Sequence, residues 1–196
     1  FQIQEDDSLY ELSRLIWDID TVYTAGASVS VKTSKKSWGL FQFNTGLQVF
    51  FPQKSGFLQD NDFLNGNGVL THYSKHENQI EGVSLSCISV YRGLDWIGLC
   101  FGIKSGIISF LGSNGYKQYP SESQSPYTPW SENIPPVYFS GDEISYQITS
   151  LNFYLGIDLQ IFFSDRFHIS VQGFCSPYSY YLCIDNHILK SKDSVK

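Results

Sequence analysis

The sequence contains no methionine in 196 residues, and only 16% of its residues are charged. The absence of methionine predicts a piece of a longer translation product, incomplete at both ends. Charged residues make up roughly 25% of an average soluble domain, so this chain is poor in charge. The 13 Lys and Arg are outnumbered by 19 Asp and Glu and form no dense basic cluster. This composition argues against a nucleic-acid-binding surface, whereas an acidic cleft would attract cationic partners.

Long apolar runs and paired cysteine motifs are also missing. No run of about 18 apolar, uncharged residues exists, which excludes a transmembrane helix but not a membrane-spanning β-barrel. The four cysteines are Cys87, Cys100, Cys175 and Cys183. None lies in a Cys-x-x-Cys motif, so neither a thiolate zinc site nor a redox motif is expected. Their pairing stays open, and we expect most of them to be ordinary small apolar residues.

Aromatic residues, by contrast, are abundant, with 13 Tyr and 15 Phe in the chain. Aromatic side chains favour strands, and apolar residues recur at every second position, which is the period of a β-strand. The alternation is clearest in Leu151–Phe163 and weakest in Glu81–Val90. It predicts a partial strand at the start of the chain and six further strands: Trp17–Val29, Phe41–Phe51, Glu81–Val90, Ile97–Lys104, Leu151–Phe163 and Phe167–Cys175.

The connections between these predicted strands alternate in length. Short links are predicted at Thr33–Ser37, Arg92–Asp95 and Ser164–Phe167, and long polar links at Pro52–Ile80 and Leu111–Asp142. Short turns on one side and long loops on the other are typical of outer-membrane barrels. A polar face rich in Gln, Asn, Asp and Ser fits a hydrated lumen. The sequence therefore favours an all-β, antiparallel up-and-down transmembrane β-barrel over a soluble β-sandwich, with residues 1–196 as one domain.

Two groups of ionisable residues lie far apart in this sequence. Asp60 and Asp62 follow the predicted strand Phe41–Phe51, and Asp185 and His187 follow the last predicted strand. Counted from the start of the chain, these are strands three and seven, which run in the same direction and end at the long-loop side. A His near a carboxylate gains basicity, and two close carboxylates do not readily ionise together. A water molecule between the two groups would be oriented for attack on a peptide carbonyl.

Simpler interpretations of the same residues stay open at this point. A pair of Asp residues in a Gly/Asn-rich segment is a common turn composition, and an isolated Asp-x-His arises often by chance. His72 and His76 have a spacing that suits zinc binding from one face of a helix, but the neighbouring Gly and Asn residues predict a loop. Serine nucleophiles lack a recognisable G-x-S-x-G elbow.

Five segments, in order along the chain, resemble segments of the omptin family of bacterial outer-membrane proteases. Asp60–Leu64 reads DNDFL and resembles DxDWM, and Thr71–His76 reads THYSKH and resembles TDxSRH. Ile184–His187 reads IDNH and resembles NDxH. Ser13–Asp18 is similar to the SQLxW segment at the start of the second strand, and Asp142–Leu155 to the region of the sixth strand. Together these matches cover essentially the whole chain.

The resemblance implies a ten-stranded outer-membrane endopeptidase of the aspartyl type that cleaves near basic residues. Asp185 and His187 would form an Asp–His dyad, Asp60 and Asp62 would be the carboxylate pair facing it, and a water molecule between them would be the nucleophile. The substrate would be a cationic peptide or protein, the barrel would contact outer-membrane lipid, and the site would face the outside of a bacterial cell. Lipopolysaccharide is expected as an activator, with no other cofactor and no metal.

The expected substrate-binding positions depart from the family pattern. An acid stands two residues before the dyad Asp in the family, where this chain has Cys183, and another Asp is replaced by His72. A family Glu near the end of strand one corresponds to Glu5. These replacements leave the preference for Arg or Lys open. Cys183 close to His187 also permits a Cys–His reading.

The end of the chain departs from the family as well. About three further strands follow the Asp-x-His in the family, so roughly six to seven of the ten strands are expected here. Two other classes of function therefore stay open. One is a catalytically inactive surface β-barrel that serves as an adhesin or structural protein, and the other is a secreted β-sandwich binding module.

Overall fold

The computed structural model describes residues 2–7, 10–33, 39–64, 68–120, 124–164 and 167–187, with all their side chains except those of residues 2–7, 10, 11, 168 and 187. No helix in these ranges is long and apolar enough to cross a membrane. The described residues form one antiparallel sheet of eight strands: β1 (Gln2–Asp7), β2 (Tyr10–Asp18), β3 (Thr24–Lys32), β4 (Leu40–Asp62), β5 (His72–Leu94), β6 (Ile97–Gln118), β7 (Val137–Ser164) and β8 (Phe167–His187).

The strands are ordered β1-β2-β4-β5-β6-β7-β8, and β3 pairs with β4 alone. β2 lies beside the end of β4 and β3 beside its beginning, on the same edge, so the sheet is seven strands wide. The predicted single strand Trp17–Val29 is therefore wrong, because the chain leaves the sheet between Asp18 and Thr24. β4 has irregular pairing around Pro52, which cannot donate to a ladder. Gly56 has a φ of +68°, and a Cβ there would overlap the carbonyl oxygen of Asp18.

The strands extend well beyond the predicted bounds on the long-loop side. β4 continues to Asp62 and β5 begins at His72, so the predicted long link Pro52–Ile80 is wrong over most of its length. The predicted link Leu111–Asp142 also shortens, since β6 ends at Gln118 and β7 begins at Val137. Register shifts in β4 interrupt the alternation of side chains, which hides these extensions from a search for strict period two.

Two of the three predicted short links agree with the structure. A tight turn at Asp95 and Trp96 joins β5 to β6, as the predicted link Arg92–Asp95 requires. The link at Ser164–Phe167 is also short, because β7 ends at Ser164 and β8 begins at Phe167. Most of the link predicted at Thr33–Ser37 lies outside the described residues.

The two faces of the sheet differ in polarity. The convex face exposes large apolar side chains on every strand from β3 to β8, including Leu47, Leu85, Leu99, Leu155 and Val171. The concave face carries polar residues in its middle, where Gln48, Ser84, Ser86 and Lys104 line a cavity of about 460 Å³. An apolar outer face around a polar interior is the reverse of a soluble one-sided sheet.

Aromatic packing curls the sheet toward the long-loop end. Trp17 of β2 contacts Phe110 of β6 and Tyr146 of β7, with ring centroids 5.4 and 5.1 Å apart. These rings belong to a buried cluster on the concave face that is completed by Leu15, Leu58, Ile80 and Ile144. The described strands do not close into a barrel, because β1 and β8 stand at the two edges of the sheet.

A buried ion pair joins the strands near the short-turn end. Arg92 of β5 donates from Nε to Oδ2 of Asp158 on β7 at 3.0 Å, and both side chains are almost fully buried. Ser170 and Gln172 of β8 donate to the other carboxylate oxygen at 2.7 and 2.9 Å. Gln42 of β4 accepts a further hydrogen bond from the guanidinium. The network links four strands across the interior, and its buried charges are paired as the cost of burial demands.

Candidate active site

Asp60 and Asp62 lie in the last residues of strand β4 and not in a loop. Asp60 is 6% exposed and is paired with Leu15 of β2 and Ser74 of β5. Ser13 donates a long hydrogen bond, 3.4 Å, to Oδ1 of Asp60. The turn interpretation of this motif is therefore wrong. Two residues apart in a strand, the carboxylates share one face, which is the concave face that also carries Leu58 and Ser74.

Asp185 and His187 lie at the end of β8. Asp185 is half-buried and is paired with Tyr146, and His187 is paired with Ile144. Paired residues of antiparallel strands point to the same face, so Asp185 lies on the concave face with Tyr146. The backbone of His187 is described, whereas its side chain lies outside the described residues.

The two acidic groups end at the same side of the sheet. β4 and β8 are separated by four antiparallel pairings, so they run in the same direction, as strand counting predicts. The curl then shortens the path between them. Trp17 contacts Tyr146, the partner of Asp185, and Trp17 is two residues from Leu15, the partner of Asp60.

The residues expected to bind substrate occupy different places. Glu5 is paired with Ser13, Ser13 with Asp62 and Asp62 with His72, so Glu5 and His72 lie on one row of the sheet that contains Asp62. With strands about 4.8 Å apart, the Glu5 backbone lies roughly 10 Å from that of Asp62. The Glu5 side chain is outside the described residues. Cys183 is exposed, and its strand position is opposite Ile148 of β7.

His72 and His76 lie in a strand, and not in the helix or loop considered for them from the sequence. They are four residues apart in β5, which separates their backbones by roughly 13 Å at 3.3 Å per residue. Their rings also have different neighbours, since His76 Nε2 lies 2.8 Å from Ser74 Oγ and His72 packs against Tyr119. Across the described part of the chain, no group of three His, Cys, Asp or Glu side chains is arranged to hold a metal.

A buried polar chain behind the acid pair was not predicted. Ser74 Oγ lies 2.8 Å from His76 Nε2, and His76 Nδ1 lies 3.5 Å from Oε2 of Glu143 on β7. Ser74 and His76 are 2% and 1% exposed. The sequence could have indicated this pair, because Ser74 and His76 are two residues apart and share one face if Thr71–His76 forms a strand. Glu143 was not readable, because irregular pairing of β6 with β7 sets its position.

Tyr119 connects this polar chain to the acid pair. Its ring packs edge-on against His72, with centroids 4.6 Å apart, and its hydroxyl is hydrogen-bonded with Ser74. Burial raises the pKa of Tyr119, and the negative charges of Asp60, Asp62 and Glu143 raise it further. The hydrogen bond with Ser74 opposes that rise only in part. The phenol therefore keeps its proton at neutral pH.

Comparisons with known proteins define the fold of this chain. No family model and no curated protein matches it. The structure is similar to the crystal structure of the outer membrane protease OmpT from Escherichia coli, with a TM-score of 0.68 and 16% sequence identity. The similarity covers 91% of this chain and 59% of the OmpT chain. The chain therefore has the all-β fold of OmpT, and the predicted resemblance to the omptins is confirmed at the level of the fold.

Proposed function

We propose that the chain belongs to an outer-membrane endopeptidase that hydrolyses peptide bonds near basic residues with an activated water molecule. The observation that carries this proposal is that Asp60, Asp62 and Asp185 lie at the same end of the sheet and on the same concave face, in a chain with the OmpT fold. OmpT itself is an outer membrane protease. Since this chain spans 59% of the OmpT chain, the activity is proposed for the full-length protein.

The polarity of the sheet supports the proposed location in the outer membrane. The convex face exposes apolar residues such as Leu85, Leu99 and Leu155, which are 54%, 60% and 53% exposed. Exposing so much apolar surface to water is unfavourable, and lipid would cover it. The long-loop end, with the acid groups, would face the outside of the cell as in other barrels with short periplasmic turns.

The acid groups support hydrolysis by a general-base mechanism. In the proposed reaction His187, oriented by Asp185, takes a proton from water while Asp60 and Asp62 hold that water in place. The new C–O bond forms as the carbonyl electrons move to oxygen. His187 then returns the proton to the amine as the C–N bond breaks. The chemistry requires no metal and no side-chain nucleophile.

The net charge of −6 and the acidic rim support a cationic substrate. Glu5 and His72 lie on the row of Asp62 and are proposed to contact the substrate, with Cys183 at the other edge. His72 and Cys183 would weaken selection of basic side chains relative to carboxylates at those positions. Lipopolysaccharide is proposed as an activator that binds the lipid-facing surface.

Peptide cleavage by the full-length protein tests the proposal. The protein is purified in detergent, supplied with lipopolysaccharide, and given a peptide containing Arg-Arg and a matched peptide containing Gln-Gln. We expect cleavage of the first peptide, resistance to serine- and cysteine-directed reagents, and a loss of kcat of at least about 10²-fold in Asp60→Asn, in line with the loss of general-base geometry. Partition into the outer membrane without any cleavage would overturn the proposal and indicate the adhesin or structural barrel instead.

A further inference from the structure

The polar chain behind the acid pair has the geometry of a positioned hydrogen-bond donor. Peptide hydrolysis builds negative charge on the carbonyl oxygen, and enzymes stabilise it with donors fixed before the reaction. Asp60 and Asp62 accept hydrogen bonds when they are ionised, and an ionised carboxylate cannot supply that donor. A protonated hydroxyl beside them can.

Tyr119 lies where such a donor is needed. Its hydroxyl is hydrogen-bonded with Ser74, the strand partner of Asp60, and its ring packs on His72, the strand partner of Asp62. The phenol thus extends along both carboxylates on the concave face. Since Asp60, Asp62 and Glu143 all disfavour the phenolate, the hydroxyl remains a donor.

The other members of the chain fix the position of that hydroxyl. His76 Nε2 holds Ser74 Oγ at 2.8 Å, and Glu143 approaches the other ring nitrogen of His76 at 3.5 Å, within the range of an ion pair but long for a direct hydrogen bond. Phe139 packs on the His76 ring at 5.1 Å. Gly112 leaves room between this ring and Leu58, because a Cβ there would lie 2.8 Å from Cδ2 of Leu58 and 3.4 Å from the Cβ of His76.

We propose that Tyr119 is the oxyanion donor of the proposed hydrolysis and that Ser74, His76 and Glu143 are positioning residues that orient its hydroxyl. The inference rests on the proposed endopeptidase function. Tyr119 donates a hydrogen bond to the carbonyl oxygen as the water attacks, and it keeps its own proton throughout. The proton of the water goes to His187 and then to the leaving amine, so no further reactant is required.

Ser74, His76 and Glu143 are also connected in the order hydroxyl, imidazole and carboxylate, which is the order of a serine-hydrolase triad. Burial distinguishes the two roles, because Ser74 is 2% exposed and its hydroxyl is shared between His76 and Tyr119. A substrate carbonyl cannot reach an oxygen enclosed in this way. Covalent labelling of Ser74 by a fluorophosphonate would therefore overturn the positioning role.

Steady-state kinetics of the full-length protein on the Arg-Arg peptide test the proposal. Tyr119→Phe retains the ring and removes only the hydroxyl, and we expect kcat to fall about 10²-fold with KM within about 3-fold, as for loss of one oxyanion donor. His76→Gln and Glu143→Gln are expected to lower kcat about 10-fold. The double variant Tyr119→Phe/His76→Gln should be no slower than Tyr119→Phe, because His76 acts through that hydroxyl.

Controls separate this inference from the proposed function itself. Tyr138→Phe removes a hydroxyl from a side chain that is 75% exposed, and we expect wild-type kcat. Thermal unfolding of each variant shows whether it folds, and Ser74→Ala provides a second test if His76→Gln does not. If the wild type cleaves and His187→Ala does not, but Tyr119→Phe keeps kcat within 2-fold, the donor role alone is overturned. Full additivity of the two substitutions would overturn the positioning role.

Discussion

The indole of Trp17 on β2 and the ring of Tyr146 on β7 lie 5.1 Å apart, centroid to centroid, although three strands separate β2 from β7 in the sheet. In a flat sheet, four steps of about 4.8 Å would hold them roughly 19 Å apart. The short distance therefore shows that the sheet is strongly curled between β2 and β7. It also brings the strand that carries Asp185 toward the strands that carry Asp60, since Tyr146 is the partner of Asp185.

Replacement of Trp17 should loosen this curl. Trp17→Ala removes a 2%-exposed side chain from the aromatic cluster, and we expect a loss of about 3–5 kcal/mol in the free energy of unfolding. Because a displacement of about 1 Å between reacting groups costs about 10²-fold in rate, kcat should fall with it. Urea titration in detergent and peptide cleavage measure the two effects. Trp96→Ala, at a 55%-exposed indole, is the matched control and should change neither; equal effects of both substitutions would contradict the account.

The buried pair of Arg92 and Asp158 should stabilise the short-turn end only while both partners are present. Arg92→Met leaves the Asp158 carboxylate buried with its main counter-charge gone, and we expect a loss of about 3–5 kcal/mol. Asp158→Leu should cost a similar amount. The double variant Arg92→Met/Asp158→Leu should recover most of the loss, because no unpaired charge remains. Additive losses in urea titration would show that the ion pair is not the source of the stability.

Replacing His72 or Cys183 by Asp, an acid of the kind expected there from the omptin pattern, should change which substrates are cleaved. His72→Asp places a carboxylate on the row of Asp62, and Cys183→Asp places one two residues before Asp185. We expect each to raise the ratio of kcat/KM for the Arg-Arg peptide over the Gln-Gln peptide about 10-fold, with the effect shrinking at high salt. Leu182→Asp, on the neighbouring position that is 48% exposed, serves as the control. An unchanged ratio in both rim variants would remove these positions from the substrate site.

The sequence predicts the strands of this sheet best where one face carries exposed apolar residues. Leu151–Phe163 and Ile97–Lys104 alternate cleanly because their convex positions, such as Leu155 and Leu99, are exposed apolar residues. Prediction failed around Pro52 and Gly56 of β4, where irregular pairing shifts the alternation of side chains. On the same edge of the sheet, two strands, β2 and β3, pair with the two ends of β4 in place of one. Period-two counting cannot follow a strand through a bulge, so the long-loop halves of β4 and β5 were taken for loops.

The candidate site was predictable only in part, for a related reason. Strand counting placed Asp62 and Asp185 at one end of the sheet, because direction depends on the number of strands and not on their lengths. The polar chain of His76 and Glu143 was not predictable, since it depends on how far β7 shifts against β6. Tyr119 lies just beyond β6, and only the packed structure relates it to Asp60.

A comparison of peptide cleavage by the His187→Ala and Cys183→Ala variants tests the central claim, the water-activating dyad of Asp185 and His187, most directly. Both substitutions fall near the end of β8, two residues on either side of Asp185, so a general disturbance of the strand would affect both. We expect the full-length His187→Ala protein to lose at least about 10²-fold in kcat on the Arg-Arg peptide, as for removal of a general base. Cys183→Ala should retain wild-type kcat, because Cys183 is proposed to contact the substrate side chain and not the reacting atoms, so that any effect falls on KM. Wild-type cleavage by His187→Ala, or loss of cleavage in Cys183→Ala alone, would contradict the proposed water-activating dyad.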